Sequence, residues 1–420
     1  MKKARGGPVA VCIIVENLPV PLDRRVWQEA RTLAQAGYQV SVICPKGPGF
    51  ERSREQLDGV QIRRHRACEA SGTLFGYLLE YSWALVAEFF LALRIYARTR
   101  FRILQACNPP DTIFLIALFF KLFGVRFIFD HHDLNPELYA LRFPGRSFVY
   151  KLVCLAERLT FRTADVVLAT NTSCRDIAMD RGRVLPDRIF VVRTCPDLNE
   201  FRPVPAKPEL KRGRKYLVVY LGMMGPQDGL DLLVDSIDLF VKKRGCNDTL
   251  FILIGLGPEL PRLKARVATS GLEEHVMFTG PLYGDQLSAY LATADVGVAP
   301  DPSNAFNDKL TMIKIFEYMA YGLPVVLYDL VEGRQSADGA ALYATANDPA
   351  EFAEQITRLL DSESLQRKLG AIGEKRVRDT LNWSIEKSNL LRAYQTALLG
   401  HRACPPCPEL MQAGTSKFAD

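Results

Sequence analysis

Between residues 9 and 344 short β-branched apolar runs alternate with longer segments whose apolar residues recur at helical spacing. The strand candidates of the first half are "VAVCIIV", "QVSVICP", "GVQIRRH", "RILQAC", "RFIFD", "VVLAT" and "IFVVR". Those after residue 214 are "KYLVVYLG", "LFILIGLG", "VMFTG", "VGVAP", "PVVLYD" and "ALYAT". Between them lie stretches such as "RRVWQEARTLAQAGY", amphipathic at helical period with Gly37 near the C-terminal end. This alternation predicts βαβ units and parallel sheets. The strands are apolar throughout, which fits sheets covered by helices on both faces. One stretch breaks the rhythm, "FRPVPAKPELKRGRK" at 201–215, rich in proline and basic residues. The expected fold class is α/β, with two doubly wound domains, 1–200 and 216–380, joined by a linker at 201–215 and facing each other across a cleft. The amphipathic stretch 381–400 is expected to pack back on the first domain, and 401–420 to be disordered.

A chain of 420 residues suits two or three domains. Its 48% hydrophobic and 24% charged residues are ordinary for a soluble globular protein. A net charge of +6 is too weak to argue for nucleic acid, and is compatible with an anionic membrane surface or an anionic substrate. The start "MKKARGG" runs into a short apolar stretch without a small-residue cleavage site, so it reads as the approach to a first strand, not a secretory leader. The ten cysteines are scattered, mostly inside apolar runs, the pattern of buried reduced thiols in a cytosolic protein. Cys404 and Cys407 form one close pair, but lack the context of a redox or zinc site. There is no Asp-x-Asp triplet and no His/Cys group at ligand spacing, so no metal is expected. No apolar run reaches the roughly 18 to 20 residues that a spanning helix needs. "TLFGYLLEYSWALVAEFFLALRIYA" is interrupted by Glu80 and Glu88, and "TIFLIALFFKLFGVRFIF" by Lys121, Gly124 and Arg126. Both read as buried helices. The alternative for the first is a membrane-surface face, its aromatics followed by Arg94, Arg98 and Arg100.

Ligands of doubly wound sheets bind outside the carboxyl ends of the strands, and polar motifs stand at several of these ends. Asp23, Arg24 and Arg25 follow the first strand, Asn108 and Asp111 lie in "NPPDT", and His132 and Asp133 lie in "FDHHD", in a chain with five histidines. "FILIGLGPEL" (251–260) is similar to a dinucleotide fingerprint, but Leu260 stands at the third glycine position and the other motifs would be unexplained.

Five stretches in order, "NLPVPLDRRVWQEARTLAQAGYQVSVICP" (17–45), "NPPDT" (108–112), "FDHHDLNPELY" (129–139), "YLGMMGPQDGLD" (220–231) and "VAPDPSNAFNDKLTMIKIFEYMAYGLPVV" (298–326), carry a resemblance over roughly residues 8–400. The chain resembles retaining glycosyltransferases of the GT-B fold, family 4, and within them a bacterial subgroup that builds cell-surface polysaccharides. The resemblance implies a nucleotide-diphosphate sugar on the second domain and an acceptor on the first. Glu317 matches the family glutamate that holds the donor ribose, and a carboxylate can accept from two vicinal hydroxyls. The family's other glutamate, eight residues earlier, is replaced by Lys309, which leaves Asn307 and Asp308 as acceptors for sugar hydroxyls. The backbone N–H groups of Met312 and Ile313 stand where the family presents a helix N-terminus to the diphosphate, beside the turn of Gly222 and Gly225. An arginine and a lysine common in that turn are here Met223 and Asp228. The leaving diphosphate gains charge in the transition state, so Lys309, Lys314 and Arg193 are expected to replace the lost cations. By the same resemblance His132 reaches the donor sugar, with Asp133 and Glu137 orienting it or touching the acceptor. Asp23, Arg24, Arg25, Asn108 and Glu137 are expected on the acceptor side, Arg being suited to phosphate. A capped helix start at 23–25 and a turn shaped by Asn108 and Asp111 are the structural alternatives.

The resemblance also implies front-face attack with retention, no metal, and no cofactor beyond the nucleotide sugar itself. The implied acceptor is a saccharide or a polyprenyl-diphosphate-linked saccharide at the cytoplasmic membrane face, with peripheral membrane contact and no nucleic acid. A sugar-nucleotide epimerase of similar fold, and a non-catalytic sugar-nucleotide-binding protein, stay open as alternatives. Met223, Asp228 and Lys309 keep the second of these alive.

Overall fold

The structure is a computed structural model that describes residues 7–68, 73–143, 145, 147–200, 204–245 and 247–400. The expected tail 401–420, with Cys404 and Cys407, lies outside the described residues, as do 201–203 of the expected linker. Seven described cysteines are free, and five of them are buried.

The first sheet contains β1 (Ala10–Ile14), β2 (Gln39–Pro45), β3 (Arg54–Leu57), β4 (Val60–His65), β5 (Ile103–Cys107), β6 (Arg126–His131), β7 (Val166–Ala169) and β8 (Ile189–Val191). Their order is β3-β4-β2-β1-β5-β6-β7-β8, parallel except for the β3–β4 pair. Strand order reverses between β1 and β5, so a crevice opens at their carboxyl ends. The helices are α1 (Arg24–Gln35), α2 (Leu74–Thr99), α3 (Phe114–Lys121), α4 (Asn135–Arg142), α5 (Ser147–Thr163) and α6 (Thr172–Asp180). Residues of α2, α3, α5 and α6 share one hydrophobic layer, and α1 belongs to the layer on the other face.

The second sheet contains β9 (Tyr216–Leu221), β10 (Thr249–Ile254), β11 (Val276–Gly280), β12 (Val296–Ala299), β13 (Val325–Tyr328) and β14 (Ala341–Ala344), in the order β11-β10-β9-β12-β13-β14. All its pairs are parallel. Its switch point falls between β9 and β12, where the chain continues into Gly222 and Asp301. The helices are α7 (Leu230–Arg244), α8 (Leu260–Thr269), α9 (Gly284–Thr293), α10 (Ile313–Ala320), α11 (Val331–Ala337), α12 (Pro349–Leu360), α13 (Glu363–Asp379) and α14 (Trp383–Leu399). The last of these crosses back. Its Trp383, Leu390, Ala393 and Tyr394 are buried in the layer of α1, and Trp383 Nε1 donates to Thr32 Oγ1 at 2.9 Å.

Backbone meets backbone where the turns of the second domain converge. A side chain at Gly255 would put its Cβ 1.8 Å from the Gly222 carbonyl oxygen, and one at Gly229 would lie 2.0 Å from that of Pro300. "GLG" at 255–257 is thus a packing device between turns, which accounts for the glycines without a dinucleotide.

Candidate active site

The two switch points face one another, and named contacts cross between the domains. The 304–311 loop of the second domain presses Phe306 and Leu310 into the first domain's hydrophobic layer. From that layer Asn171 Nδ2 donates to the Lys309 carbonyl (2.9 Å) and to Thr311 Oγ1 (3.1 Å). Lys309 Nζ lies 3.3 Å from Glu137 Oε1 on α4. Arg24, at the start of α1, pairs with Glu317 on α10.

On the second-domain side, α10 forms because Ile315, Phe316, Tyr318 and Met319 bury one face. It ends where Gly322, at φ +66°, turns the chain ahead of Pro324. Lys314 and Glu317 are three residues apart and so share a face. Lys314 is buried. Its ammonium reaches both oxygens of Asp301 at 2.9 Å and lies 4.8 Å from the centre of the Tyr220 ring. Its Cε is 3.4 Å from where a Cβ of Gly222 would stand. Among the described residues no protein acceptor meets the N–H groups of Met312 and Ile313, so the helix opens free donors beside this lysine. Asp228 caps the turn, accepting from Gly225 N at 2.7 Å. Burial pushes its carboxyl up to about 6, with Lys314 opposing and Asp301 adding to the shift.

On the first-domain side His132 Nε2 lies 2.8 Å from Asp130 Oδ2. Burial works against a charge on His132, but the Asp130 carboxylate outweighs it and raises the imidazole above its ordinary value. Asp130 is itself fully buried. Burial would raise it, yet Arg25 and His132 together hold it well below the usual carboxylate range. Arg25 closes the group, with Nη2 2.7 Å from Asp130 Oδ1 and Nη1 donating to the Val192 carbonyl.

Several expectations change against this geometry. Arg25 is buried as the counter-ion of Asp130 and Glu29, not an acceptor ligand. Asp23 is buried as the N-cap of α1, accepting from Val26 N at 2.9 Å. Of that triplet Arg24 alone is exposed. Asn108 is buried, and its amide is consumed in shaping the loop: Oδ1 accepts from His132 N and Asp133 N, and Nδ2 donates to Asp111 and the Asp133 carbonyl. His132 is oriented by Asp130, not by Asp133. Burial raises Asp133, which is hydrogen-bonded to Asn17. Asn307 is also buried, and its Nδ2 donates to the carbonyls of Gln227 and Pro302, so it ties two loops together. Asp308 accepts from Ser303 Oγ. Glu137 accepts from Arg181 at 3.0 Å as well as pairing with Lys309. Arg193 pairs with Glu386 at 3.4 Å and lines a separate cavity of about 780 Å³ with Phe316, Glu332, Arg334 and Arg376. That cavity is lined by neither Lys314 nor Glu317, and the carboxylate partner of Arg193 is Glu386 on α14. The three nominated cations are therefore all paired with carboxylates: Lys309 with Glu137, Lys314 with Asp301, Arg193 with Glu386.

Asp130, Asp301 and Arg181 were missed in the sequence. Strand alternation carries the signal for the first, because residues two apart on β6 and its extension share a face.

Two groups of ligand-type side chains among the described residues converge within 4.8 Å: Cys107, Asp130 and His132, and Glu16, His65 and Glu88. Linear spacing showed neither. In the first, the Arg25 guanidinium already occupies Asp130, which disfavours a cation there. In the second, burial with Glu16 alongside pushes Glu88 well above the usual carboxylate range, so it takes up a proton.

The comparisons with known proteins fall on this frame. The family described as "Glycosyl transferase 4-like domain" matches residues 22–195, and "Glycosyl transferases group 1" matches 215–362. The chain belongs to family 4 of the GT-B glycosyltransferases. A D-inositol 3-phosphate glycosyltransferase of Acidothermus cellulolyticus is 30% identical over 281 residues, 62% of this chain and 58% of the relative. The aligned stretches span between 46% and 66% of the length of such curated relatives. Among solved GT-B structures, sucrose-phosphate synthase of Thermosynechococcus elongatus superposes with a TM-score of 0.76 at 17% identity, covering 93% of this chain and 99% of that one. Anabaena HepE in complex with UDP-glucose gives 0.71 at 14% identity, covering 92% and 99%. At these identities the likeness is one of fold. Arg24 on Glu317 and Arg25 on Asp130 bring the face of α10 and the His132 group close together across the two domains.

Proposed function

We propose that the protein is a retaining, metal-independent glycosyltransferase that moves a sugar from a nucleotide-diphosphate sugar to a saccharide or lipid-linked saccharide acceptor in cell-surface polysaccharide synthesis. One observation carries this reading. Consecutive residues at one helix start, Arg24 and Arg25, bind Glu317 on the donor wall and Asp130, the partner of His132, on the other wall. The ribose ligand and the reacting end are thereby held within one residue of each other. The donor class is supported by the UDP-glucose complex of Anabaena HepE and by family membership.

In this reading the ribose hydroxyls replace Arg24 on Glu317. The released guanidinium then turns to the diphosphate, where it restores a cation lost at Met223 and Asp228. The free N–H groups of Met312 and Ile313 and the fixed ammonium of Lys314 meet the same phosphates. His132, oriented by Asp130, which also raises its imidazole above the ordinary value, hydrogen-bonds a sugar hydroxyl. The acceptor hydroxyl attacks the anomeric carbon on the face the diphosphate leaves. The new C–O bond forms as the C–O bond to phosphate breaks, and the departing phosphate oxygen takes the hydroxyl proton. The protein contributes position and charge.

A second reading, a protein that holds nucleotide sugar without turnover, is favoured by the pairing of all the nominated cations with carboxylates. Thermal shift with a panel of UDP-, GDP-, dTDP- and ADP-sugars, with Glu317→Ala alongside, tests donor binding. Release of free nucleotide with added acceptor then separates the two readings. No shift with any donor would overturn both.

A further inference from the structure

We propose that the outer face of α2, α3 and α5 is a docking surface for an anionic lipid bilayer. α2 turns Ala84, Glu88, Ala92 and Ile95 toward the sheet. On its other side Phe75, Leu78, Trp83, Val86 and Phe90 follow one another at spacings of three to five residues, each about half exposed or more. A surface helix of a water-soluble domain places polar residues on that side. The apolar surface continues onto the neighbouring helices. Leu115 and Leu118 on α3 are exposed, as are Phe148, Leu152 and Leu155 on α5, the latter at spacings of four and three. The helices are in contact: the Phe89 and Phe119 rings are 5.0 Å apart, and α3 packs on α5. Of the 28 exposed large hydrophobic residues described, sixteen lie between 75 and 155, so the exposure is concentrated in one layer and not scattered.

Charge decides which occupant fits. Between residues 73 and 163 the acidic side chains are Glu80, Glu88, Asp111, Asp130, Asp133, Glu137 and Glu157. Four of these are buried, Glu137 is held by Arg181 and Lys309, and Asp133 is partly buried beside His132. Glu80, half-buried, is the one acid among the exposed apolar residues of α2. Cations fringe the same surface: Arg94, Arg98, Lys151, Arg158 and Arg162 are all exposed. A two-fold pairing of this face with a second copy would oppose that basic fringe to itself. Anionic headgroups complement it, with the apolar stripe entering the headgroup boundary. No described helix is long and apolar enough to cross a membrane, so the contact is with the surface. The face also reaches the cleft. Tyr77 on α2 stacks edge-on against Phe143 at 6.2 Å and its hydroxyl meets Arg142, at the end of the helix that carries Glu137. A membrane-held acceptor would thus be presented where Glu137 and Lys309 meet, an extension that rests on the transferase reading.

The test is co-sedimentation of the full chain with vesicles of phosphatidylcholine, with and without phosphatidylglycerol, at low and high salt. The expected result is retention by the anionic vesicles at low salt, at least tenfold above neutral vesicles, and release by salt. Brominated acyl chains should quench Trp83. The triple variant Phe75→Ser, Leu78→Ser, Phe148→Ser should lose vesicle binding, with its melting temperature and nucleotide-sugar binding unchanged. Arg94→Glu with Lys151→Glu should lose the anionic preference. No binding to either vesicle would overturn the proposal. So would a concentration-dependent dimer that the triple variant abolishes while the wild type ignores lipid. Vesicle binding without any nucleotide-sugar binding would leave this proposal standing and remove the transferase reading instead.

Discussion

Arg24 and Glu317 form an ion pair across the cleft, from the first turn of α1 to the middle of α10. The carboxylate is buried and the arginine half exposed, so the arginine is the partner that can leave. A pair with one member in solvent contributes up to about 1 kcal/mol, little enough for two ribose hydroxyls to displace it. Arg24→Ala should therefore bind a free nucleoside up to about fivefold more tightly, because Glu317 is uncovered. The same variant should bind the nucleotide-diphosphate sugar about tenfold more weakly, through loss of a charge-assisted contact to phosphate. Calorimetric titration of both ligands checks this. Two changes of the same sign would rule out the exchange.

Asp228 gives the donor site a pH dependence. Its carboxyl titrates at about 6, above the ordinary 3.8, chiefly because it is buried. A folded-state value raised in this way favours the protonated form. The native state is therefore not penalised below pH 4 and loses stability as pH rises through 6. Above pH 6 the same charge stands beside Lys314 and opposes a diphosphate. Nucleotide affinity should rise as pH falls from 8 to 5.5. Asp228→Asn should flatten that profile and melt at least roughly 2 °C above wild type at pH 8, with the difference shrinking as pH falls below 6 and vanishing below 4. A profile unchanged by the substitution would place Asp228 away from the ligand.

The sheets were legible because parallel strands covered on both faces leave mostly apolar runs, and twelve of the strands fall on such runs, while β4, Val60–His65, shows an alternation of buried and half-buried residues at its start. β3, Arg54–Leu57, was not. It is a four-residue edge strand of sequence REQL, antiparallel to β4 and half in solvent, with no burial to write a pattern. Asp23, Arg24 and Arg25 look alike as a string. They separate once the helix begins at Arg24, since successive side chains on α1 point about 100° apart, one to the cap, one to the cleft and one to the core. α2 is apolar nearly all round, which in a sequence is equally the mark of a buried helix. Only its neighbours show that no described residue covers the outer side.

The Asp130–His132 pair predicts a split between binding and turnover. His132→Gln should lower the transfer rate by at least about 100-fold, with donor affinity changed less than twofold. Asp130→Asn removes the charge that raises His132, so the imidazole pKa followed by NMR should drop. It also leaves Glu29 as the one carboxylate partner of the buried Arg25 among the described residues, and its unfolding should be easier accordingly. The raised His132 value adds stability below pH 6.5 that is lost as pH rises through the folded value. This slope should vanish in the variant.

Two lysines on one stretch of chain divide the work. Lys309 was expected to replace a phosphate ligand, but its ammonium is spent on Glu137 in the other domain, and the loop that carries it is pinned there by Phe306, Leu310 and Asn171. Lys314 lies instead against the Gly222 turn at the mouth of α10, fixed by Asp301 on one side and the Tyr220 ring on another. A cation held in place needs no reorganisation when charge develops next to it. Lys309→Ala should therefore alter nucleotide affinity less than threefold, and should act on the contact between domains, detectable as faster amide exchange in 304–311. Lys314→Met should weaken nucleotide binding by more than tenfold. It should also lower the melting temperature, because Asp301 loses its partner while buried. The decisive comparison is binding measured for both variants well below the melting point of the weaker one. If Lys309→Ala proves the more damaging to affinity, the ion pair with Glu137 opens on binding, and Lys309 serves the phosphates after all.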